Sequence, residues 1–312
     1  MDGAQIGKFE DPFVTAKGER RASVALTHPE TLWFNTGTLC NIACANCYIE
    51  SSPENDALEY LTADEVADYL AQLAARGWPV REIGFTGGEP FMNPQMIDMA
   101  RLALEAGHEV LILTNAMRPM MRPRVQRGIE VLLADFPGRT ALRVSLDHWS
   151  EAVHDAERGP GSYALTLAGM DWLAAIGAPM AVAGRVEMAE SEAAARAGYA
   201  RLFAARGYPI DAANPAACVL FPEMDAAAEV PEITTACWDI LGKSPDEPMC
   251  ASSRMVVKRK GADAPAVIAC TLLPYDSQFE LGATLAEAEG AVQLNHPHCA
   301  KFCVLGGASC SG

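Results

Sequence analysis

The strongest regularity along the 312-residue chain is a change of hydrophobic period. Between about residues 30 and 222, short apolar runs rich in Val, Ile, Leu and Phe alternate with longer stretches of helical period. Such alternation predicts repeated β/α units built on a parallel sheet. Six strands are predicted: LWFNT from Leu32, REIGFT from Arg81, EVLILT from Glu109, ALRVSL from Ala141, MAVAGRV from Met180 and CVLF from Cys218. Helix ends are legible as well. Thr62 with Glu65 three residues later forms a capping box, and Gly107, Gly177 and Gly207 stand where a helix needs a residue tolerant of positive φ. Six units fit either an open doubly wound sheet or an incomplete (β/α) barrel, and period alone does not separate them.

After residue 222 the pattern changes. The stretch FPEMDAAAEVPEITT reads as a loop or linker. From Met249 to Pro274 two strands are predicted, ASSRMVVKRK and APAVIACTLL, joined by a Gly- and Asp-containing turn into a β-hairpin with a Cys near each outer end. The tail NHPHCAKFCVLGGASCSG places three more Cys in the last 14 residues. The expected division is an N-terminal segment (1–29), a β/α region (30–222), a linker (223–248) and a small α+β domain (249–312).

Composition narrows the function. With 50% hydrophobic and 21% charged residues the chain can bury a large core, which excludes global disorder. Twenty-four Lys and Arg against 40 Asp and Glu give a net charge of −16, with no basic face to neutralise phosphates, so nucleic acid is not an expected partner. There is no uninterrupted apolar run of about 18 residues, and the N-terminus carries acids where a signal peptide needs a basic and then an apolar region. The expectation is a cytoplasmic protein without a membrane partner. In a reducing compartment its ten Cys read as ligands, redox groups or buried thiols rather than disulfides.

Cys40, Cys44 and Cys47 form C-x3-C-x2-C directly after the first predicted strand. Three thiolates on one short loop suit a metal or an iron-sulfur cluster with one coordination position left open; a zinc knuckle lacking its fourth ligand is the alternative. The loop leaves the C-terminal end of a strand, the face on which barrel active sites lie. This motif resembles the cluster-binding loop of radical S-adenosylmethionine (SAM) enzymes, whose partial (β/α)6 barrel of TIM type also has six strands. The resemblance implies that the three Cys hold a 4Fe-4S cluster and that SAM chelates the remaining iron. Reduction then cleaves SAM to a 5′-deoxyadenosyl radical, which abstracts hydrogen from a substrate.

The resemblance covers roughly residues 30 to 222. Gly87, Gly88, Glu89 and Pro90 end the second strand and are similar to the family's GGEP segment, in which glycines allow close backbone approach and the acid can accept from a cationic amino group. Thr114 and Asn115 end the third strand as the family's TN pair does. Ser145 and Asp147, in RVSLDH, are similar to the pair that contacts the ribose hydroxyls, and HDAERGPGSYALTLAGMDWL resembles the stretch that follows, with His154 structural. Arg185 and Glu187 end the fifth strand, where members place polar contacts to SAM. The residue before the third Cys is commonly aromatic in the family; here it is Asn46, with Tyr48 after the Cys, and a backbone contact at Asn46 survives the change.

Cys250, Cys270, Cys299, Cys303 and Cys310 are five thiols where a 4Fe-4S cluster needs four. The hairpin followed by a close Cys pair resembles the auxiliary-cluster extension called Twitch, the shorter relative of the SPASM domain. It implies one auxiliary cluster on Cys250, Cys270, Cys303 and either Cys299 or Cys310, with a four-thiolate zinc as the alternative. His296 and His298 beside Cys299 read as hydrogen-bond donors to that site, and Cys218 and Cys237 as buried core. The resemblance thus implies a radical SAM oxidoreductase fed by a flavodoxin- or ferredoxin-type electron donor, its auxiliary cluster accepting an electron or ligating the substrate. The segment before the first strand is shorter than the roughly 40 residues a domain needs to fold unaided, which tilts the expected substrate toward a small molecule. A maturase of a ribosomal peptide and a non-catalytic iron-sulfur or zinc scaffold are the alternatives. No acid or base is assigned, because Glu187, Glu223 and Asp225 read equally well as surface charges.

Overall fold

The computed structural model describes residues 7–186, 190–222 and 229–306. In chain order the elements are β1 (Ser23–Val24), β2 (Thr31–Asn35), α1 (Ala63–Arg76), β3 (Glu82–Thr86), α2 (Met96–Glu105), β4 (Glu109–Thr114), α3 (Pro123–Asp135), β5 (Thr140–Ser145), α4 (Glu151–Arg158), α5 (Ser162–Ala175), β6 (Met180–Val186), α6 (Glu192–Arg206), β7 (Cys218–Pro222), α7 (Cys237–Leu241), β8 (Ser253–Val257), β9 (Ala266–Ile268), β10 (Glu280–Gly282) and β11 (Val292–Gln293). All six predicted barrel strands form. The capping box of α1 is present, with Thr62 Oγ1 accepting from the Glu65 amide at 3.2 Å and the Glu65 carboxylate accepting from the Thr62 amide at 2.8 Å.

Strands β2 to β7 lie side by side in sequence order and all run parallel. A doubly wound sheet reverses its order at a switch point; this one does not, so the architecture is the partial barrel. Side-chain alternation along each strand then separates two environments. Leu32, Phe34, Ile83, Phe85, Ile112, Leu142 and Val144 pack outward with Val66, Tyr69 and Leu73 of α1, Met99 and Ala103 of α2, and Ile129 and Leu132 of α3. Each Val, Leu, Ile, Phe or Met among them contributes about 1.5–3 kcal/mol on burial. Trp33 and Leu111 turn the other way, packing with Met255, and Leu113 and Ala141 adjoin them.

The C-terminal hairpin forms between β8 and β9, with Cys250 just before it and Cys270 just after, but it is not a sheet apart. Strand β8 runs parallel beside β2, Trp33 opposite Met255, so one nine-stranded sheet runs β10-β9-β8-β2-β3-β4-β5-β6-β7. The reason is visible in the run RMVV: every residue of β8 is buried, and a strand covered on both faces belongs inside a sheet with neighbours on each side. The N-terminal segment is fastened to this end of the molecule. Strand β1 pairs with β11, and the fully buried Arg21 side chain donates to Glu232 at 2.6 Å and to the carbonyls of Asp11 and Val14. No helix among the described residues is long and apolar enough to cross a membrane.

Candidate active site

The loop after β2 carries Cys40, Cys44 and Cys47, and its position is set by the segment that ends β3. The Gly88 amide donates to the Gly37 carbonyl at 2.8 Å and the Glu89 amide to the Leu39 carbonyl at 3.2 Å. Gly87 has φ +146°, and a Cβ there would stand 2.6 Å from the Gly37 carbonyl oxygen; a Cβ at Gly88 would overlap the Leu39 carbonyl. The two glycines therefore seat the cysteine loop itself against β3. Asn115, just past β4, adds a second support by donating to Asn41 Oδ1 at 2.9 Å and lying 3.8 Å from Cys40 Sγ.

Glu89 is 1% exposed. Its Oε1 accepts from Thr114 Oγ1 at 2.9 Å and from the Phe91 amide at 3.2 Å, and its Oε2 from the Asn115 amide at 2.8 Å. A carboxylate offers about four acceptor sites, so one remains on Oε2. Burial outweighs these bonds and lifts the carboxyl to about 7. Burial also raises the Cys40 thiol to about 12 and pushes up Cys44, against which the Arg158 charge pulls. Binding a metal there must displace thiol protons.

Arg158, at the last position of α4, was not singled out from sequence. Its Nε and Nη2 grip Asp147 at 2.7 and 3.1 Å, while Arg185 Nε lies 3.5 Å from the same carboxylate. Burial alone would raise Asp147, and the two guanidiniums more than offset it, holding the group below the usual carboxylate range. Asp147, expected at a ribose, is thus engaged by protein on both oxygens. Arg185 Nη2 donates to the Asn46 carbonyl at 2.7 Å, its guanidinium stands 5.2 Å from the centre of the Tyr48 ring, and its buried Nη1 has no partner. The backbone of Asn46 accordingly meets Arg185, and its side chain donates to Glu157 at 2.9 and 3.0 Å. The only sequence signal for Arg158 was its place before Gly159, which ends the helix at φ +97°.

One cavity gathers these groups. It encloses about 1460 Å³ of empty space, its open mouth included, between the barrel strand ends and the C-terminal segment. Cys40, Cys44, Cys47, Gly87, Gly88, Pro90, Asn115, Ser145, Asp147 and Arg185 all line it; Glu89 stands just behind. Trp33, Leu113, Phe221, Leu272 and Phe302 form apolar wall, and Cys270 and Cys303 line one side.

A second, smaller cavity lies behind that side. Cys250, Cys270, Cys299 and Cys303 all line it, with His298. Cys270 and Cys303 face both spaces. Cys303 follows Cys299 on one π-helical stretch, Cys299–Leu305. Burial lifts Cys250 to about 11 and pushes Cys299 well up too, the latter also raised by Cys270, Cys303 and Cys250. Among the described residues no three His, Cys, Asp or Glu converge tightly enough to hold a single ion. Grouped thiols are the donor type of both iron-sulfur clusters and zinc. The His296 and His298 rings stack edge to face at 4.4 Å, and the buried His298 Nδ1 has no partner. Cys218 is fully buried; Cys237 is only half-buried and accepts from the Thr234 amide. His154 is fully buried. Glu187, Glu223, Asp225 and Cys310 lie outside the described residues.

The sequence profile described as the radical SAM superfamily matches residues 34–189, half of the chain. An AdoMet-dependent heme synthase of Methanosarcina barkeri is 32% identical over 152 residues, 48% of this chain and 41% of that protein. The antilisterial bacteriocin subtilosin biosynthesis protein AlbA of Bacillus subtilis is 34% identical over 128 residues, 41% of this chain and 26% of that protein. The matched part thus spans less than half the length of either relative. In fold, native anSMEcpe with bound AdoMet superposes with a TM-score of 0.60 at 13% identity, covering 88% of this chain and 84% of that one. The β2 cysteine loop, the glycine pair that seats it and the partial barrel beneath are those of the radical SAM superfamily, and the chain is a member of it.

Proposed function

We propose that this chain is a radical SAM oxidoreductase in which Cys40, Cys44 and Cys47 hold the SAM-binding 4Fe-4S cluster and Cys250, Cys270, Cys299 and Cys303 an auxiliary one. Residues 30–222 and 249–312 would carry the two sites. The observation that carries the reading is the shared cavity, which the three-thiol loop and Cys270 and Cys303 all line. When bound, SAM and the clusters supply one-electron reduction and a carbon radical able to take a hydrogen atom from the substrate.

The chain's own residues do the rest. Glu89 keeps one acceptor site for a cationic amino group, and the unpartnered Arg185 Nη1 suits a carboxylate. Ser145 lines the cavity where a sugar hydroxyl would sit, and the apolar wall of Trp33, Leu113, Phe221 and Phe302 keeps water from a reactive radical. Four thiols around the second cavity fill every ligand position of a four-iron cluster, leaving none for substrate. That favours electron acceptance, so the substrate loses a hydrogen atom and an electron and releases a proton. A flavodoxin- or ferredoxin-type donor would supply the reducing electron.

The substrate we assign is a small molecule, in keeping with a cavity that must also hold SAM. A peptide residue presented into the same cavity is the second reading, favoured by the likeness to AlbA, named for bacteriocin biosynthesis. The test is anaerobic reconstitution with iron and sulfide, then dithionite, SAM and assay of 5′-deoxyadenosine. About eight irons are expected in the wild type and about four in Cys44→Ala or Cys299→Ala, with nucleoside from the wild type and none from Cys44→Ala. Zinc in place of iron, or nucleoside from Cys44→Ala, would overturn the reading.

A further inference from the structure

The cysteine loop is held from an unexpected direction. The last two residues of α4 reach it at three points: the Ala45 amide donates to the Glu157 carbonyl at 2.8 Å, the Asn46 side chain donates to the Glu157 carboxylate, and Arg158 grips Asp147, which Arg185 joins to the Asn46 carbonyl. Ala45 and Asn46 are the two residues between Cys44 and Cys47. This places a guanidinium only 12% exposed at the wall of the cavity that the cysteines line.

A buried ion pair is a poor device for stability, since desolvating both charges cancels most of their attraction and apolar packing serves as well. A basic residue in the last turn of a helix complements the helix dipole, but that role needs only a solvated side chain. Neither accounts for a planar fork fixed by two bonds to Asp147. Arg158 lines the same cavity as Cys40 and Cys44, and its charge pulls the Cys44 thiol down against burial. We infer that Arg158 is a positioning residue that presents a fixed positive charge to the cysteine loop and so raises the reduction potential of the cluster held there. A permanent cation beside the ligands favours the state that has gained an electron, and Asp147 moderates the charge while holding it in place. The inference rests on the reading that Cys40, Cys44 and Cys47 hold an iron-sulfur cluster.

The test is a redox titration of the reconstituted full-length protein followed by electron paramagnetic resonance, with the signal that changes on adding SAM assigned to this cluster. Arg158→Gln is expected to move its midpoint to more negative potential at unchanged iron content, Arg158→Lys to restore most of the wild-type value, and Asp147→Asn to move it positive. A residue that merely props the loop would lower iron content without that ordering by charge. Equal midpoints in wild type, Arg158→Gln and Asp147→Asn would overturn the inference while leaving the cluster assignment intact. If Arg158→Gln fails to hold iron, Asp147→Asn decides alone, a positive shift supporting the inference and no shift overturning it. A wild-type protein with no SAM-sensitive signal would overturn the cluster assignment and the inference with it.

Discussion

Replacing Glu89 with Gln tests the electrostatics of the site without any cofactor. Burial lifts this carboxyl from 4.5 to about 7 in the folded protein, so the native state keeps a proton that the unfolded chain gives up near pH 4.5. A group with a raised folded pKa contributes stability that is fully present below its unfolded pKa and lost as pH rises through its folded one. Integrating between pH 5 and pH 8, the loss is about 2.5 kcal/mol. In Glu89→Gln that titration is gone. The amide can still accept from Thr114 and Phe91, but it turns an N–H toward the Asn115 amide, a mismatch costing about 1–3 kcal/mol at every pH.

The two stability curves should therefore differ in slope as well as height. Urea unfolding of the cluster-free protein at pH 5, 6, 7 and 8, read by Trp fluorescence, gives both. Glu82, raised by burial, and His154, lowered by burial to about 4, titrate in both proteins and cancel in the difference. The expected result is a wild type that outperforms the variant most at pH 5 and least at pH 8. Parallel curves would refute the claim that Glu89 is desolvated.

Three further substitutions probe the surrounding scaffold. Gly88→Ala should force the Leu39 carbonyl aside and release the cysteine loop, lowering the iron of reconstituted protein by about half if two four-iron clusters bind; full loading would show that the glycine pair does not seat the loop. Glu232→Ala strands the buried Arg21 guanidinium and should cost about 3–5 kcal/mol in denaturant unfolding, whereas a loss below about 1 kcal/mol would mean that water already reaches it. Cys218→Ala should leave iron content unchanged, because this thiol sits in the outer core away from both cavities, and a drop in iron would contradict that placement.

What sequence could and could not say follows from the range of each interaction. Strands β4 and β6 end where EVLILT and MAVAGRV end, because the apolar run and the burial it produces are local. The thiol sets were legible for the same reason: C-x3-C-x2-C must lie on one loop, and Cys299 and Cys303 on one turn of helix-like chain. The pairing of β8 with β2 was not, since Met255 meets Trp33 across more than two hundred residues and the run RMVV looks alike in a free hairpin and in a shared sheet. Nor was the Arg21–Glu232 bridge, whose partners stand 211 residues apart.

Asp147 carries the point furthest. A carboxylate just past a strand end reads as a ligand contact, because that is where ligands of such sheets sit. Its protein partner is set by the helix that follows: α4 starts at Glu151, and its two turns bring Arg158 back to the carboxylate. One residue more or fewer before Arg158 would rotate that guanidinium by about 100° around the helix axis and take one of its two cationic partners from Asp147, which lines the cavity either way. The residues that perform chemistry announce themselves by local spacing. Those that hold them, as Arg158 holds Asp147, are selected by how far a helix runs before it returns to the strand end, and that is a property of the fold.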